Sequence, residues 1–67
     1  DAAMAAFDKA IMLDPNNLQA RYYRGLGHAA RGDKALARAD LQTVLDALPA
    51  DAPVREGVAA ALKDLQD

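Results

Sequence analysis

The 67-residue chain has no cysteine, no tryptophan and no serine, and only one phenylalanine, two tyrosines and one threonine. Without cysteine there is neither a disulfide frame nor a thiolate metal site, which is compatible with any compartment. With Thr43 as the lone hydroxyl besides the tyrosines, nucleophilic catalysis is poorly supplied. His28 is the only histidine, and nothing completes a metal shell around it. Positive charge is not in excess either: the net charge of -2 and pI of about 5.1 argue against binding along a phosphate backbone. No apolar run approaches the roughly 20 residues of a membrane span, and no secretory h-region is present, so no direct membrane contact is expected. Opening at Asp1 without an initiator methionine, the sequence reads as a fragment, so a missing targeting signal says nothing about compartment.

What is present is alanine. Hydrophobic residues make up 52% of the chain, but 17 of the 67 residues are alanine, so apolar bulk is scarce. Alanine-rich helices propagate well and contribute little transfer energy each. A chain this short buries only roughly 60% of its unfolded surface, so the core must be shallow, made by helices that approach closely, and neighbouring units or a second chain are expected.

Helical spacing recurs along the whole chain, and no segment alternates as a strand would. Residues 2–13 carry Ala3, Phe7, Ala10 and Ile11 on one face, and Asp14-Pro15-Asn16-Asn17 stops them. Asn17 is a good N-cap for a second helix over 18–31. Gly32-Asp33 turns the chain, with Asp33 capping a third helix over 34–48 that carries Ala37, Leu41, Val44 and Leu48. Pro49 ends it. Asp51 is expected to cap a fourth helix over 52–66, with Pro53 in its first turn and Val54, Val58, Ala61, Leu62 and Leu65 as its apolar stripe. Short connections make neighbours antiparallel, so the expected fold class is all-α.

The same chemistry returns every 34 residues: Ala3 and Ala37, Phe7 and Leu41, Ala10 and Val44, Ile11 and Leu45, Pro15 and Pro49, Asn17 and Asp51. In this register the chain resembles the tetratricopeptide repeat, a helix–turn–helix unit that stacks into solenoids. The resemblance implies one complete repeat over 18–51, preceded over 1–17 by the second helix of an earlier repeat and followed over 52–67 by a capping helix. Gly25, Gly32-Asp33, Ala37, Leu41, Val44 and Pro49 match the family pattern. Its large apolar positions do not, for Arg21, Arg24 and His28 stand there. A narrower resemblance joins Ala20-Arg21-Tyr22-Tyr23, Leu26 and Pro49-Ala50-Asp51-Ala52-Pro53 to the C-terminal periplasmic domain of the bacterial cytochrome c maturation factor that presents apocytochrome. That resemblance would imply an apocytochrome partner and the periplasm; otherwise the cytoplasm is expected.

Turning helix two by ~100° per residue separates Leu18, Tyr22, Leu26, Ala29 and Ala30 from Arg21, Arg24, His28 and Arg31. In the family, the side bearing Gly25, Arg24 and His28 packs on the paired helix and the side bearing Gln19, Tyr22 and Leu26 lines a concave groove. This chain therefore places apolar bulk where family members meet ligand. One reading makes Tyr22 and Leu26 core and the arginines a solvated face reaching water, Asp40 or Asp46. The other makes Tyr22, Leu26 and Ala29 the floor of a groove for a peptide or helical segment, with Tyr23 at its edge and Gln19, Glu56 and Lys63 as polar rim. The acidic-tail clamp of chaperone-binding relatives, which needs Lys and Asn on the groove helices, is absent.

Other motifs dissolve on inspection. Gly25-Leu26-Gly27-His28-Ala29-Ala30 spells a dinucleotide fingerprint but has no preceding strand. Gly27 and Gly32 begin a phosphate loop that continues Asp33-Lys34, where the carboxylate would repel phosphate. Arg31-Gly32-Asp33 is explained as turn and cap, and Asp64 with Asp67 lies on an end without a pocket. The sequence thus predicts a non-enzyme without cofactor or metal that binds a protein or peptide and no nucleic acid. The first helix, lacking the cover its stripe expects, is a possible homodimer surface. The alternative is a structural cap of a longer array with no ligand of its own.

Overall fold

The computed structural model describes residues 2–65, which form four helices and, among the described residues, no strand. They are α1 (Ala2–Leu13), α2 (Leu18–Ala30), α3 (Lys34–Ala47) and α4 (Val54–Leu65). The all-α expectation holds, and the sequence boundaries agree within a residue or two; position 66, given to the fourth helix, lies outside the described residues.

Local chemistry explains where each helix starts and stops. The Asn17 carboxamide accepts from the Ala20 N–H at 3.1 Å, the expected cap of α2. Before it, Asp14 accepts from the Asn16 N–H at 3.1 Å and tightens the turn. At the far end of α2, Gly32 takes φ +85°. The Gly32 N–H donates to the Ala29 carbonyl and the Asp33 N–H to the His28 carbonyl, a Schellman closure that needs a residue without a Cβ at Gly32. Asp33 then holds the N-cap position of α3, but its side chain makes no capping bond, contrary to the expected chemistry. Asp51 is also corrected. Helix α4 begins at Val54, and the first carbonyl it uses belongs to Ala52, which accepts from the Arg55 N–H. Pro53 follows Ala52, where its missing N–H removes no bond. Leu48 is extended because Pro49 follows, and Arg55 reaches back from α4 to donate to the Leu45 and Leu48 carbonyls at 2.8 and 3.1 Å.

Ala37, Leu41 and Val44 of α3 pack with Val58, Leu62 and Leu65 of α4 into one buried cluster. Leu18, Tyr22, Leu26 and Ala29 of α2 lie against it, half buried. One expected stripe is rotated, and another is borne out except at its first residue. In α1 the buried residues are Met4 and Ile11, whereas Ala3 is exposed and Phe7 and Ala10 are half buried. The cause is on α2: Gly27 leaves room for the Met4 thioether, which a Cβ there would strike. In α4, Val54 is 45% exposed because it starts the helix, before the seam with α3. Gly25 likewise lets α2 close on α3, since a Cβ would stand 2.9 Å from Leu41 Cγ. The two glycines of the supposed dinucleotide fingerprint are thus consumed by packing.

Consecutive helices pack on one another, α2 also touches α4, and α1 rests on α2 alone among the described residues. The result measures 30 × 27 × 15 Å. Its thin dimension is about that of two packed helices, and every helix keeps exposed residues.

Candidate functional site

The three aromatic side chains come together across α1 and α2. Phe7 and Tyr23 stack with centroids 5.8 Å apart and planes inclined by 22°, and Tyr22 tilts against Tyr23 at 5.6 Å and 49°. Tyr22 is half buried and reaches toward α4, its hydroxyl 3.7 Å from where a Cβ on Gly57 would stand. Tyr23 remains 44% exposed although it is held on both sides.

Beside these rings lies a recess of about 270 Å³, below the roughly 300–1,000 Å³ of small-molecule sites. Leu18, Gln19, Tyr22 and Tyr23 line it from the start of α2, Val44 and Leu48 from the end of α3, and Val54 from the start of α4. No charged side chain is among them. A recess of this size and polarity suits one apolar side chain, with the Gln19 amide and the tyrosine hydroxyls as the polar groups of its lining.

Three of the seven residues expected to bind a partner share the recess, and the other four lie outside its lining. Gln19, Tyr22 and Tyr23 line the recess. Leu26 and Ala29 are half buried against the core cluster further along α2. Glu56 is exposed and borders a second, wider hollow of about 480 Å³ between the end of α3 and the start of α4, with Asp51 and Arg55. Lys63 is exposed nearer the end of α4. The sequence places Val44, Leu48 and Val54 in the apolar stripes of their helices and Leu18 on the apolar side of helix two, so none of them stands out as a site residue. The available signal was positional, since a helical hairpin brings the start of α2 and the end of α3 to the same end of the molecule.

The arginine side of α2 is not the solvated face of the first reading. It closes over α3, where Asp40 is only 4% exposed. Arg24 grips that carboxylate with two bonds, Nε to Oδ2 and Nη2 to Oδ1, both 2.7 Å, and its Nη1 donates to Asp8 of α1 at 2.9 Å. Arg21 Nη1 lies 3.6 Å and His28 Nε2 3.8 Å from the same carboxylate. The bond to Asp40 raises the Arg24 pKa above its ordinary value against the opposing effect of burial, and Asp8 adds to the rise. Asp46, the other proposed acceptor, instead takes a bond from Gln42 at 2.9 Å. Arg31 is exposed. Arg24 therefore ties three helices together, with Arg21 and His28 beside the same carboxylate, and none of the three is in the recess lining.

The lone threonine spends its hydroxyl on the Ala39 carbonyl at 2.8 Å. Among the described residues no group of three or more His, Cys, Asp or Glu side chains is placed to hold a metal ion, and no helix is long and apolar enough to cross a membrane. Asp64 is exposed, and Asp67 lies outside the described residues.

Among curated proteins, the chain is 44% identical over 50 residues to the peptidyl-prolyl cis-trans isomerase FKBP4 of Mus musculus, a stretch covering 75% of this chain and 11% of that protein. The Homo sapiens protein of the same name is 46% identical over 48 residues, or 72% of this chain and 10% of its own length. The chain thus spans about a tenth of the length of the curated relatives it matches. No family model matches the chain. No solved structure matches it either.

Proposed function

We propose that this chain is a non-catalytic protein-interaction module of the tetratricopeptide type, which holds an apolar side chain of a partner peptide or helix in the recess at Leu18, Tyr22, Tyr23 and Val54. The observation that carries this reading is Tyr23. It is an aromatic ring braced by Phe7 and Tyr22, partly open to solvent, and set at the edge of an uncharged recess. A ring already immobilised loses little rotamer freedom when a partner lands on it. Leu26 and Ala29 extend the apolar strip along α2, and Glu56 and Lys63 supply the polar margin. The four-helix arrangement and the partial likeness to FKBP4 are consistent with a tetratricopeptide segment.

Isomerase activity is not carried over from that likeness, which covers 11% of the relative. Because the match takes in so small a part of that protein, the chain is expected to leave the rate of prolyl-bond isomerisation in a test peptide unchanged. The narrower resemblance to the cytochrome c maturation factor rests on the dipeptides quoted above and enters the test as one ligand. A structural reading, a cap without a ligand, draws on the packing of Leu26 and Ala29 against the core.

The test is a fluorescence-anisotropy titration with amphipathic peptides selected by display on the wild-type chain, alongside an unfolded apocytochrome segment. Substituting Tyr23→Ala should weaken binding by roughly tenfold or more with helicity unchanged, as expected for a central aromatic anchor. Equal affinity in wild type and variant would sink the groove, and failure of every peptide to bind would favour the cap.

A further inference from the structure

The polar atoms of the recess carry information that its apolar walls do not. Tyr22, Tyr23 and Gln19 line it, and among the described residues neither hydroxyl nor the carboxamide has a hydrogen-bond partner. The remaining lining, Leu18, Val44, Leu48 and Val54, is apolar, and no lining residue is charged. Each hydroxyl offers one donor on a bond that rotates, and the carboxamide offers two. A segment seated here therefore meets unclaimed donors around an apolar floor.

Three backbone forms could bring a side chain to this place, and they differ in what else they bring. An α-helix, apart from its ends, binds its own N–H and C=O groups internally, so the free donors would find no backbone acceptor. A β-strand presents both groups along its edges and docks by extending a sheet. The described residues contain no strand to extend. A polyproline II segment has no internal hydrogen bonds, so its carbonyls stand free along its length. Its prolines lack an N–H, so pressing one onto an apolar floor strands no donor. The proline ring is apolar and uncharged, matching the lining, and Tyr22 and Tyr23 offer it aromatic surface with centroids 5.6 Å apart and planes inclined by 49°. Both sides are stiff before they meet. Phe7 braces Tyr23, and the segment is already extended, so little freedom is lost on contact.

We propose that the occupant of the recess is a proline of a polyproline II segment in a protein partner, whose neighbouring carbonyls accept bonds from Tyr22, Tyr23 and Gln19. This rests on the recess being the binding site and names the class of segment that enters it.

The chain has no tryptophan and no tyrosine besides these two, so tyrosine emission reports on this place alone. Three acetylated peptides of equal length and without aromatic residues serve as probes: an oligoproline, an alanine–leucine–glutamine helix and a glycine–serine chain. Oligoproline should change the emission and shift the backbone amide resonances of the lining residues, binding roughly tenfold more tightly than either comparator. Tyr23→Phe keeps the ring and removes the hydroxyl, and Gln19→Leu removes the carboxamide. Each should weaken oligoproline binding roughly threefold, the loss of one hydrogen bond, with helicity unchanged. Equal or tighter binding of the helical or glycine–serine peptide, indifference to both substitutions, or no oligoproline binding at about 5 mM would each overturn the proposal. Tighter binding of the helical peptide that disappears in Tyr23→Ala would leave the recess standing and remove only the proline segment. Oligoproline binding untouched by Tyr23→Ala would remove the recess itself.

Discussion

Arg24 is the residue on which three helices converge, and its value depends on what is left when it goes. Asp40 is buried, so removing it leaves Arg21 without a carboxylate and Arg24 with only the exposed Asp8. Asp40→Ala should cost about 2–4 kcal/mol in urea unfolding, whereas the double change Arg24→Met with Asp40→Leu should recover part of that loss, because the closest cation goes with the carboxylate while Arg21 is left without it. If the double variant is no more stable than Asp40→Ala, the network does more than satisfy itself. The direction of the Arg24 shift sets its pH behaviour. A raised folded pKa gives stability that is complete below the unfolded value and lost only as pH rises through the folded one, and arginine's ordinary value already lies beyond neutral pH. The guanidinium should therefore contribute nothing to any change in melting temperature between about pH 6 and 10. In the sequence Arg21, Arg24 and His28 were legible as misfits in an apolar pattern, and Asp40 as one of two acceptors. What decided between Asp40 and Asp46 was phase, since Asp40 falls between Ala37 and Leu41 on the buried stripe of α3.

At the scale of elements, residue type located the helix ends better than it foretold the bonds there. Asn17 and Asp33 occupy equivalent N-cap positions and look interchangeable in sequence. Only Asn17 bonds the backbone, and Asp33 is left without a side-chain cap because the Schellman closure at Gly32 already fixes the turn. Asn17→Ala should thus lower stability by about 1 kcal/mol, while Asp33→Ala should change it by no more than a few tenths. Equal losses in thermal melts would show that Asp33 caps in solution. The start of α4 was misjudged for a related reason. Asp51 has the right side chain, but Ala52 supplies the carbonyl that opens the helix, a shift of one residue that no propensity scale resolves. The rotation of α1, with Met4 inside in place of Ala3, was hidden because it depends on the hole at Gly27 of another helix.

For the whole molecule, helix number and order follow from periodicity, while the recess does not, because three helix ends form it and no single stripe records it. The same thinness that leaves a recess at one end leaves α1 weakly held. Among the described residues it meets α2 alone, through Met4 at Gly27, the Phe7–Tyr23 stack, Ile11 and the Asp8–Arg24 bond, whereas α3 is covered by α2 and α4. Local opening draws on the parts with fewest buried apolar contacts. In dilute solution the amide protons of α1 should exchange first, at least tenfold faster than those around Leu41 and Val44, by hydrogen-exchange mass spectrometry. Because Asp8–Arg24 is exposed on the aspartate side, its loss in Asp8→Ala should speed α1 exchange only slightly. Met4→Ala should speed it strongly, since it empties the space that Gly27 provides. Uniform exchange across all four helices would mean that the molecule opens as a single unit and that α1 is not its loose end.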